Sequence, residues 1–227
     1  MHIIRFVRTV SLLASILVWP SAFAASRADL DQALSHDGLH KVSVKGVDLA
    51  YVRPGATLAG YNRVKLDPVE VAFRKDWVPK RTGNNLKLSA EELDSIRQGV
   101  AKLVYDEFVS ELQSKSSYQV VNEVGADVLR VRVNIVNLYV TAPDTLSSGP
   151  TRTYTVSPGE MTLFAELFDS ETGEAIARVV DRREARGTGM MTLTTKSVNA
   201  AEARTIASAW ARILRNGLDK AHGIGKK

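Results

Sequence analysis

The most regular pattern of apolar and polar positions in this chain lies between Gly125 and Val140. In its first half, apolar residues occupy every second position, and arginine or asparagine occupies the positions between them. The apolar positions of this half are Leu129, Val131, Val133 and Ile135. Such alternation is typical of a β-strand with one face in the core and the other in solvent. The pattern predicts a central strand against which the other elements pack.

The alternation changes phase in the second half of the same stretch. From Val136 onward, the apolar residues take the parity that Arg130 and Arg132 hold in the first half. Two arrangements fit this change: a β-bulge near Ile135 and Val136, or a strand end that is buried on both faces. We favour the second arrangement, in which helices on both faces or a long loop cover this end of the strand.

Four further segments have strand character. Residues 61–73 alternate but contain Pro68, which cannot donate a ladder hydrogen bond, so we expect an edge strand or a bulge there. Residues 118–124 form a short strand before the central one. Residues 161–168 and 175–185 predict an antiparallel hairpin around a turn that contains glycine.

Two long segments carry apolar residues at helical spacing. The first begins at Ser89, which has with Glu92 the S-x-x-E spacing of a capping box, and it continues to about Gln113. The second is predicted to have its cap at Asn199 and its stop at Gly223. Strands combined with these helices predict an α+β fold: a mostly antiparallel β-sheet packed against two long helices as a two-layer sandwich.

The first residues follow the plan of a secretory signal peptide. Arg5 and Arg8 precede an apolar run that is too short to span a bilayer, and small residues follow it up to Ala24. We expect cleavage of residues 1–24 and export to the periplasm by the general secretory route, with no transmembrane segment in the secreted chain. Because the chain has no cysteine, it cannot be anchored in the cell envelope through a lipid on that residue.

The remaining chain divides where its glycine and proline content changes. Residues 25–60 are polar and interrupted, and we interpret them as an irregular lead-in segment with one or two helical turns at 28–34 and a short edge strand near Val42. Residues 61–227 are predicted to form a single α+β domain. Within it, residues 141–158 are long for a connection, and an ordered loop of that length often carries function.

Composition and charge exclude several functional classes. The chain has 227 residues, of which 30 are Lys or Arg and 25 are Asp or Glu, and this small basic excess gives no support to nucleic-acid binding. The lack of cysteine excludes disulfides and thiolate metal sites. His36 and His40 have the spacing of metal ligands on a helix, but Asp37 and Gly38 between them disfavour a helix. We therefore predict no metal site and no cofactor.

One functional hypothesis is a hydrolase that acts on an envelope polymer through paired carboxylates. The candidate acidic residues are Asp67, Glu70, Asp76 and Asp127. Acidic residues at strand ends more commonly pair with nearby basic residues, and no nucleophilic triad is visible in the sequence. Whether the protein is an enzyme stays open, and no residue is assigned a catalytic role.

The function that we favour is a non-enzymatic binding or assembly module. Its candidate partner surface comprises the end of the central strand, the loop after it and a row of arginines: Tyr139, Asp144, Arg178, Arg182 and Arg186. The three arginines share parity, so an unbulged strand presents them as a basic row to an anionic envelope component. Envelope protein, peptidoglycan and lipid all remain open as partners.

Several motifs in the chain resemble one bacterial family. They resemble the envelope family known as domain of unknown function 3313. The similar segments are residues 51–55 (YVRPG), residues 61–69 (YNRVKLDPV), the helix that follows and Gly125–Val128. The resemblance covers nearly the whole secreted chain and implies no known activity. Many members look like lipoproteins, from which this chain departs because it has no cysteine. The order of elements is also similar to small periplasmic α/β domains such as the N-terminal part of TolB-like proteins, which is a fold-level analogy.

Overall fold

The computed structural model describes seven parts of the chain: residues 27–77, 87–114, 118–140, 154–155, 159–184, 192–193 and 196–224. The chain divides into two compact units, residues 1–33 and 34–227. The described part of the first unit is helical. The second unit holds the sheet and both long helices. The signal-peptide prediction at residues 1–24 lies outside the described residues.

The elements follow one another in a simple order. From the N-terminus they are α1 (Arg27–Ser35), β1 (His40–Val42), β2 (Leu49–Val52), β3 (Arg63–Leu66), β4 (Glu70–Phe73), α2 (Ala90–Ser114), β5 (Gln119–Val120), β6 (Val128–Val140), β7 (Tyr154–Thr155), β8 (Gly159–Asp169), β9 (Ala175–Glu184), β10 (Thr192–Leu193) and α3 (Lys196–Ala221). The predicted hairpin is β8 and β9, and its turn contains Gly173 with a positive φ. The predicted helical turns at 28–34 are part of α1.

Eight of the described strands form one sheet. Its order is β1-β2-β9-β8-β6-β3-β5. Strand β4 also pairs with β6, further along that strand than β3 does. The pairs from β1 to β6 are antiparallel, whereas β3 and β4 both run parallel to β6. The mostly antiparallel sheet of an α+β fold is therefore confirmed. Strands β7 and β10 form a separate two-stranded ladder.

The main core lies between the sheet and the two long helices. The inward positions of β6 that alternation predicted are 0–1% exposed. Against them pack the apolar stripes of α2 and α3, which include Phe108, Leu112, Trp210 and Leu218. The sheet face that points away from these helices, called the outer face below, carries a smaller core around Leu34, Leu39, Tyr51 and Ala175. None of the helices in the described residues combines the length and the apolar character that crossing a membrane requires.

The phase change in β6 is a β-bulge. The register with β8 shifts between Val136 and Tyr139, and Asn137 has a left-handed φ of 54°. One extra residue restores the inward direction to the next apolar side chain, so Leu138 is buried at 5% exposure. Our preference for an end buried on both faces is therefore wrong, because Val136 and Tyr139 are only half-buried.

Two other sequence expectations are corrected by the boundaries of the elements. Pro68 does not bulge one strand but separates β3 from β4, since both strands lie beside β6 with Pro68 between them. Helix α3 begins at Lys196, so Asn199 lies inside the helix and is not its cap. Gly223 does end this helix: it has a φ of 72° and donates to the carbonyl of Lys220, while Ile224 donates to that of Asp219, which is a Schellman motif.

The segment interpreted as an irregular lead-in contributes to the sheet. Strand β2 pairs along β9, and β1 pairs with β2, so residues 40–52 supply two strands at one edge. The domain boundary at residue 60 stays a prediction.

The capping box at the start of α2 is confirmed and makes a measurable prediction. The Ser89 amide donates to Glu92 Oε2 at 2.8 Å, and the Glu92 amide donates to Ser89 Oγ at 3.2 Å. Ser89→Ala removes an acceptor from an N-terminal amide, so chemical denaturation is expected to show a loss of about 1 kcal/mol in the free energy of unfolding. Ser95→Ala, at an exposed position of the same helix, is the matched control and is expected to change stability by less than about 0.5 kcal/mol. Equal effects of the two substitutions would contradict the cap.

Candidate functional site

Arg178 is buried in the outer face. Its side chain is 3% exposed, and its Nε donates to Glu166 on the neighbouring strand β8 at 3.0 Å. Nη2 donates to Asp37 Oδ2 at 2.5 Å, and Nη1 donates to the carbonyl oxygens of His36 at 2.9 Å and Leu34 at 3.4 Å. The hydrogen bond from Arg178 is the main reason why the pKa of Asp37 lies below its usual range. The guanidinium is thus enclosed by groups of its own chain.

Arg182, the next member of the predicted basic row, lies at the surface and is also paired. Its side chain is 56% exposed. The guanidinium donates to both oxygens of Glu160, at 2.7 and 2.9 Å, and to Glu184 at 2.9 Å. Arg186 and Asp144 lie outside the described residues. The sequence itself favoured ordinary surface pairing for these arginines, because Asp181 and Glu184 interrupt the row. The assignment of the row to a partner surface stays a prediction.

The arginines of β6 lie on the outer face and hold the carboxylate of Asp67. Arg130 Nη2 is 2.8 Å from Asp67 Oδ2, and Arg132 Nε is 3.7 Å from the same oxygen. Arg132 also donates to Glu166 at 3.3 Å, which connects this pair to Arg178 through a shared carboxylate. A chain of alternating charges therefore crosses three neighbouring strands of the sheet.

The other candidate carboxylates lie apart in the fold. Asp127 accepts two hydrogen bonds from Arg63, at 2.6 and 2.9 Å, and this contact holds the pKa of Asp127 below its usual range. Asp76 accepts from Arg74 at 2.7 Å. Glu70 is exposed at the start of β4. The carboxylates of Asp67, Asp76 and Asp127 are each bound to arginine.

The two histidines with helical spacing do not lie on one α-helix: His36 begins a 3-10 turn (His36–Gly38), and His40 begins β1. Asp37 and Gly38 between them have φ values of 65° and 75°, which turn the chain between the end of α1 and β1. His36 Nδ1 is 2.7 Å from Asp37 Oδ2. Within the described residues, no group of three or more His, Asp or Glu side chains is arranged to hold a metal ion.

An aromatic cluster lies at the end of β6, where the bulge occurs. The rings of Phe73 and Trp77 have centroids 4.7 Å apart, and those of Trp77 and Tyr139 are 6.5 Å apart in an edge arrangement. The guanidinium carbon of Arg74 lies 4.4 Å from the centroid of the Tyr139 ring. All four side chains are half-buried. We call these four residues, Phe73, Arg74, Trp77 and Tyr139, the strand-end cluster.

The fold itself positions the strand-end cluster. Strand β4 pairs in parallel with β6, with Phe73 opposite Leu138, so the residues that follow β4 reach the end of β6. Trp77 Nε1 donates to the carbonyl oxygen of Val140 at 3.1 Å, which fixes the indole against the strand end. The sequence indicated Tyr139 but missed the other members. Arg74 and Trp77 follow the strand predicted at residues 61–73, and this position was the sequence feature that could have indicated them.

The fold and these contacts define a class of protein: an α+β sandwich with a charged outer face, whose arginines are paired, and an aromatic cluster at one strand end. The chain belongs to the family of proteins of unknown function DUF3313, whose model matches residues 29–214. The resemblance inferred from its motifs is confirmed, and the similarity to TolB-like domains stays a prediction. Comparison with curated proteins gives no match.

Three of the solved structures with distant similarity come from different bacteria. One is the PelC dodecamer from Paraburkholderia phytofirmans, at 10% identity over 75% of this chain and 96% of that chain, with a TM-score of 0.32. Another is a DUF330 protein from Xanthomonas campestris, at 11% identity over 76% and 91%, with a TM-score of 0.36. A third is a neuraminyllactose-binding hemagglutinin homolog from Helicobacter pylori, at 14% identity over 72% and 88%, with a TM-score of 0.36. Similarity at this level carries no functional argument.

Proposed function

We propose that this chain is an exported, envelope-associated protein that binds a protein partner without catalysing a reaction, and that the strand-end cluster is its contact surface. The observation that carries the proposal is the composition and exposure of this cluster. Tryptophan, tyrosine and arginine are the residues that most often dominate binding energy at protein interfaces, because each combines a large apolar area with a polar group.

The geometry of the cluster supports a role in binding. Its aromatic rings contact one another, and Trp77 is held by the hydrogen bond to Val140, so little side-chain entropy is lost when a partner covers them. Arg74 lies over the Tyr139 ring and pairs with the exposed carboxylate of Asp76, which leaves guanidinium and carboxylate groups at the rim. An apolar centre with a polar rim is the usual anatomy of a protein interface.

The alternative of a hydrolase with paired carboxylates gains no support from the same residues. A general acid needs a carboxyl group that can hold and release a proton at the substrate. Asp67 is bound by two arginines, and the hydrogen bonds from Arg63 hold the pKa of Asp127 below its usual range. No observation favours an acid and base pair among these residues.

Cross-linking in intact cells tests the proposal. Tagged protein is cross-linked in the producing bacterium, and the recovered envelope proteins are quantified by mass spectrometry for wild type, Trp77→Ala and Tyr139→Ala. Truncation of an interface hot spot costs about 2 kcal/mol or more, so recovery of a specific partner is expected to fall roughly tenfold or more in both variants.

The matched control for this experiment is Tyr105→Ala, which truncates a half-buried tyrosine on α2, away from the cluster. Thermal unfolding of each variant separates a loss of binding from a loss of folding. Recovery of the same partners by Trp77→Ala, Tyr139→Ala and wild type would exclude the cluster as the contact surface. Recovery of no protein above the background of an untagged strain would contradict the binding function itself.

A further inference from the structure

The first strand of the sheet forms an open edge. Strand β1 pairs with β2 on one side, and no strand of the described residues pairs with its other side. Residues 40–46 are all exposed. An edge strand presents unpaired N–H and C=O groups to its surroundings, so a further strand can be added to the sheet there.

The side chains at this edge include two exposed valines flanked by two lysines. Val42 and Val44 are 40% and 38% exposed, and they are two of the four large hydrophobic residues that are exposed in the described part of the chain. Lys41 and Lys45 flank them, with Ser43 between the two valines, and no acidic residue occurs from 39 to 47. The edge therefore combines exposed apolar surface with local positive charge.

In β1 itself, the basic and the apolar side chain point to different faces of the sheet, and Val44 and Lys45 follow in the turn that the Val47 amide closes on the Val44 carbonyl. Lys41 is opposite Tyr51 and lies 5.7 Å from the centroid of its ring, on the outer face. Val42 is opposite Ala50, which is buried, and therefore lies on the face that the two long helices cover. An added strand would meet apolar contacts on the helix side and positive charge on the outer side.

We propose that β1 binds, by strand addition, an extended segment of a partner protein in which acidic residues alternate with apolar ones. Main-chain hydrogen bonds to the open edge supply the geometry of such complexes, and the side chains on alternate positions supply the specificity. Apolar residues of the partner contact Val42 and Val44, while its acidic residues face Lys41 and Lys45.

A second copy of the same chain fits this edge less well. Two copies paired edge to edge would bring Lys41 and Lys45 of one close to the same lysines of the other, and like charges across neighbouring strands are destabilising. Lysines on a short edge strand are also a common means by which proteins avoid such pairing. The charge that repels a second copy attracts an acidic segment.

The open edge is separate from the strand-end cluster. Strands β2, β9 and β8 lie between β1 and β6, so the two strands are four spacings, or about 19 Å, apart across the sheet. The inference therefore goes beyond the proposed function and does not depend on it.

Titration of ¹⁵N-labelled protein with two synthetic peptides tests the inference. One peptide alternates valine with glutamate, and the other alternates valine with lysine. The glutamate peptide is expected to shift the amide resonances of residues 40–46, whereas the lysine peptide is expected to leave them unchanged. Equal binding of both peptides, or shifts confined to other parts of the protein, would overturn the proposal, and so would the absence of any binding.

Two substitutions test whether the glutamate peptide binds at the open edge. Val44→Glu and Lys45→Glu place negative charge just after β1, outside its ladder with β2, and each is expected to raise the dissociation constant of the glutamate peptide about tenfold or more. Val124→Glu and Lys75→Glu make the same changes at exposed positions elsewhere and are expected to leave it unchanged.

Measurement of the oligomeric state tests the remaining alternative, in which a second copy of the chain occupies the open edge. Sedimentation analysis is expected to show no association that depends on this edge. A dimer of the wild-type protein that Val44→Glu dissociates would identify the occupant as a second copy and overturn the assignment of an acidic partner. Thermal unfolding of both edge variants, together with unchanged amide spectra outside residues 40–46, is expected to confirm that they fold as the wild type does.

Discussion

Replacing Arg178 with alanine is expected to lower the free energy of unfolding by about 3–5 kcal/mol. The guanidinium is buried and donates to Glu166, to Asp37 and to two backbone carbonyls. Alanine would leave the carboxylate of Glu166, which is 12% exposed, without its closest partner and would remove the donation from Arg178 to the carbonyl of Leu34. Unfolding in urea, monitored by circular dichroism, measures the change.

The same strand provides the control for Arg178→Ala. Arg182 has the same parity on β9, but its side chain is mostly exposed, so Arg182→Ala is expected to cost less than about 1 kcal/mol. Arg178→Lys is expected to recover only part of the loss, because lysine cannot reach all the acceptors that the planar guanidinium holds. If the two alanine variants were equally stable, the buried position of Arg178 would be contradicted.

The second large effect is expected at the centre of the helical layer. Trp210 on α3 is 2% exposed and packs in the main core. Its Nε1 donates to Asp181 Oδ2 at 2.7 Å, which connects α3 to the hairpin. Truncation to alanine removes a large apolar side chain and leaves a cavity, so Trp210→Ala is expected to destabilise the protein by about 3–5 kcal/mol.

A smaller aromatic residue separates the two contributions of Trp210. Trp210→Phe retains most of the apolar contact but loses the hydrogen bond, and Asp181 keeps its contacts with Arg183 at 2.7 Å and with the amide of Asp48 at 3.1 Å. We expect this variant to lose about 1–2 kcal/mol. Urea denaturation compares both variants, and an alanine variant no less stable than the phenylalanine variant would argue against tight packing at this position.

Much of the fold was predictable because its elements carry periodic patterns. Alternation located β6 and the β8–β9 hairpin, and helical spacing located α2 and α3. The capping box correctly located the cap of α2 at Ser89, directly before the helix begins at Ala90. These signals are local: each depends on residues that are close in sequence and on which face of an element is buried. Local patterns therefore gave the elements and the fold class.

The bulge in β6 shows what a pattern leaves open. A change of phase at Val136 is compatible with an extra residue or with burial on both faces, and the sequence offers no measure that separates them. The structure resolves the choice through the left-handed conformation of Asn137, which asparagine adopts more readily than most residues. An asparagine at a phase change in a strand is the signal that could have favoured the bulge.

The candidate site was less predictable because its contacts connect distant parts of the chain. Arg178 and Asp37 are 141 residues apart, so the sequence could favour pairing of the arginines on β9 but could not identify their partners on other elements. The strand-end cluster likewise depends on the parallel pairing of β4 with β6, which brings Trp77 to Tyr139. Neither contact follows from the spacing of residues within one element.

The pairing of β2 with β9 has a consequence for how the chain folds. Leu49 is opposite Val180, so β2 can join the sheet only after β9, which comes much later in the sequence, is available. Contacts between distant residues slow folding, because a long loop must close before they form. During synthesis, which begins at the N-terminus, this edge of the sheet therefore forms only after the β8–β9 hairpin has been made. A product truncated after β8 is expected to remain unfolded and to be recognised by chaperones and proteases.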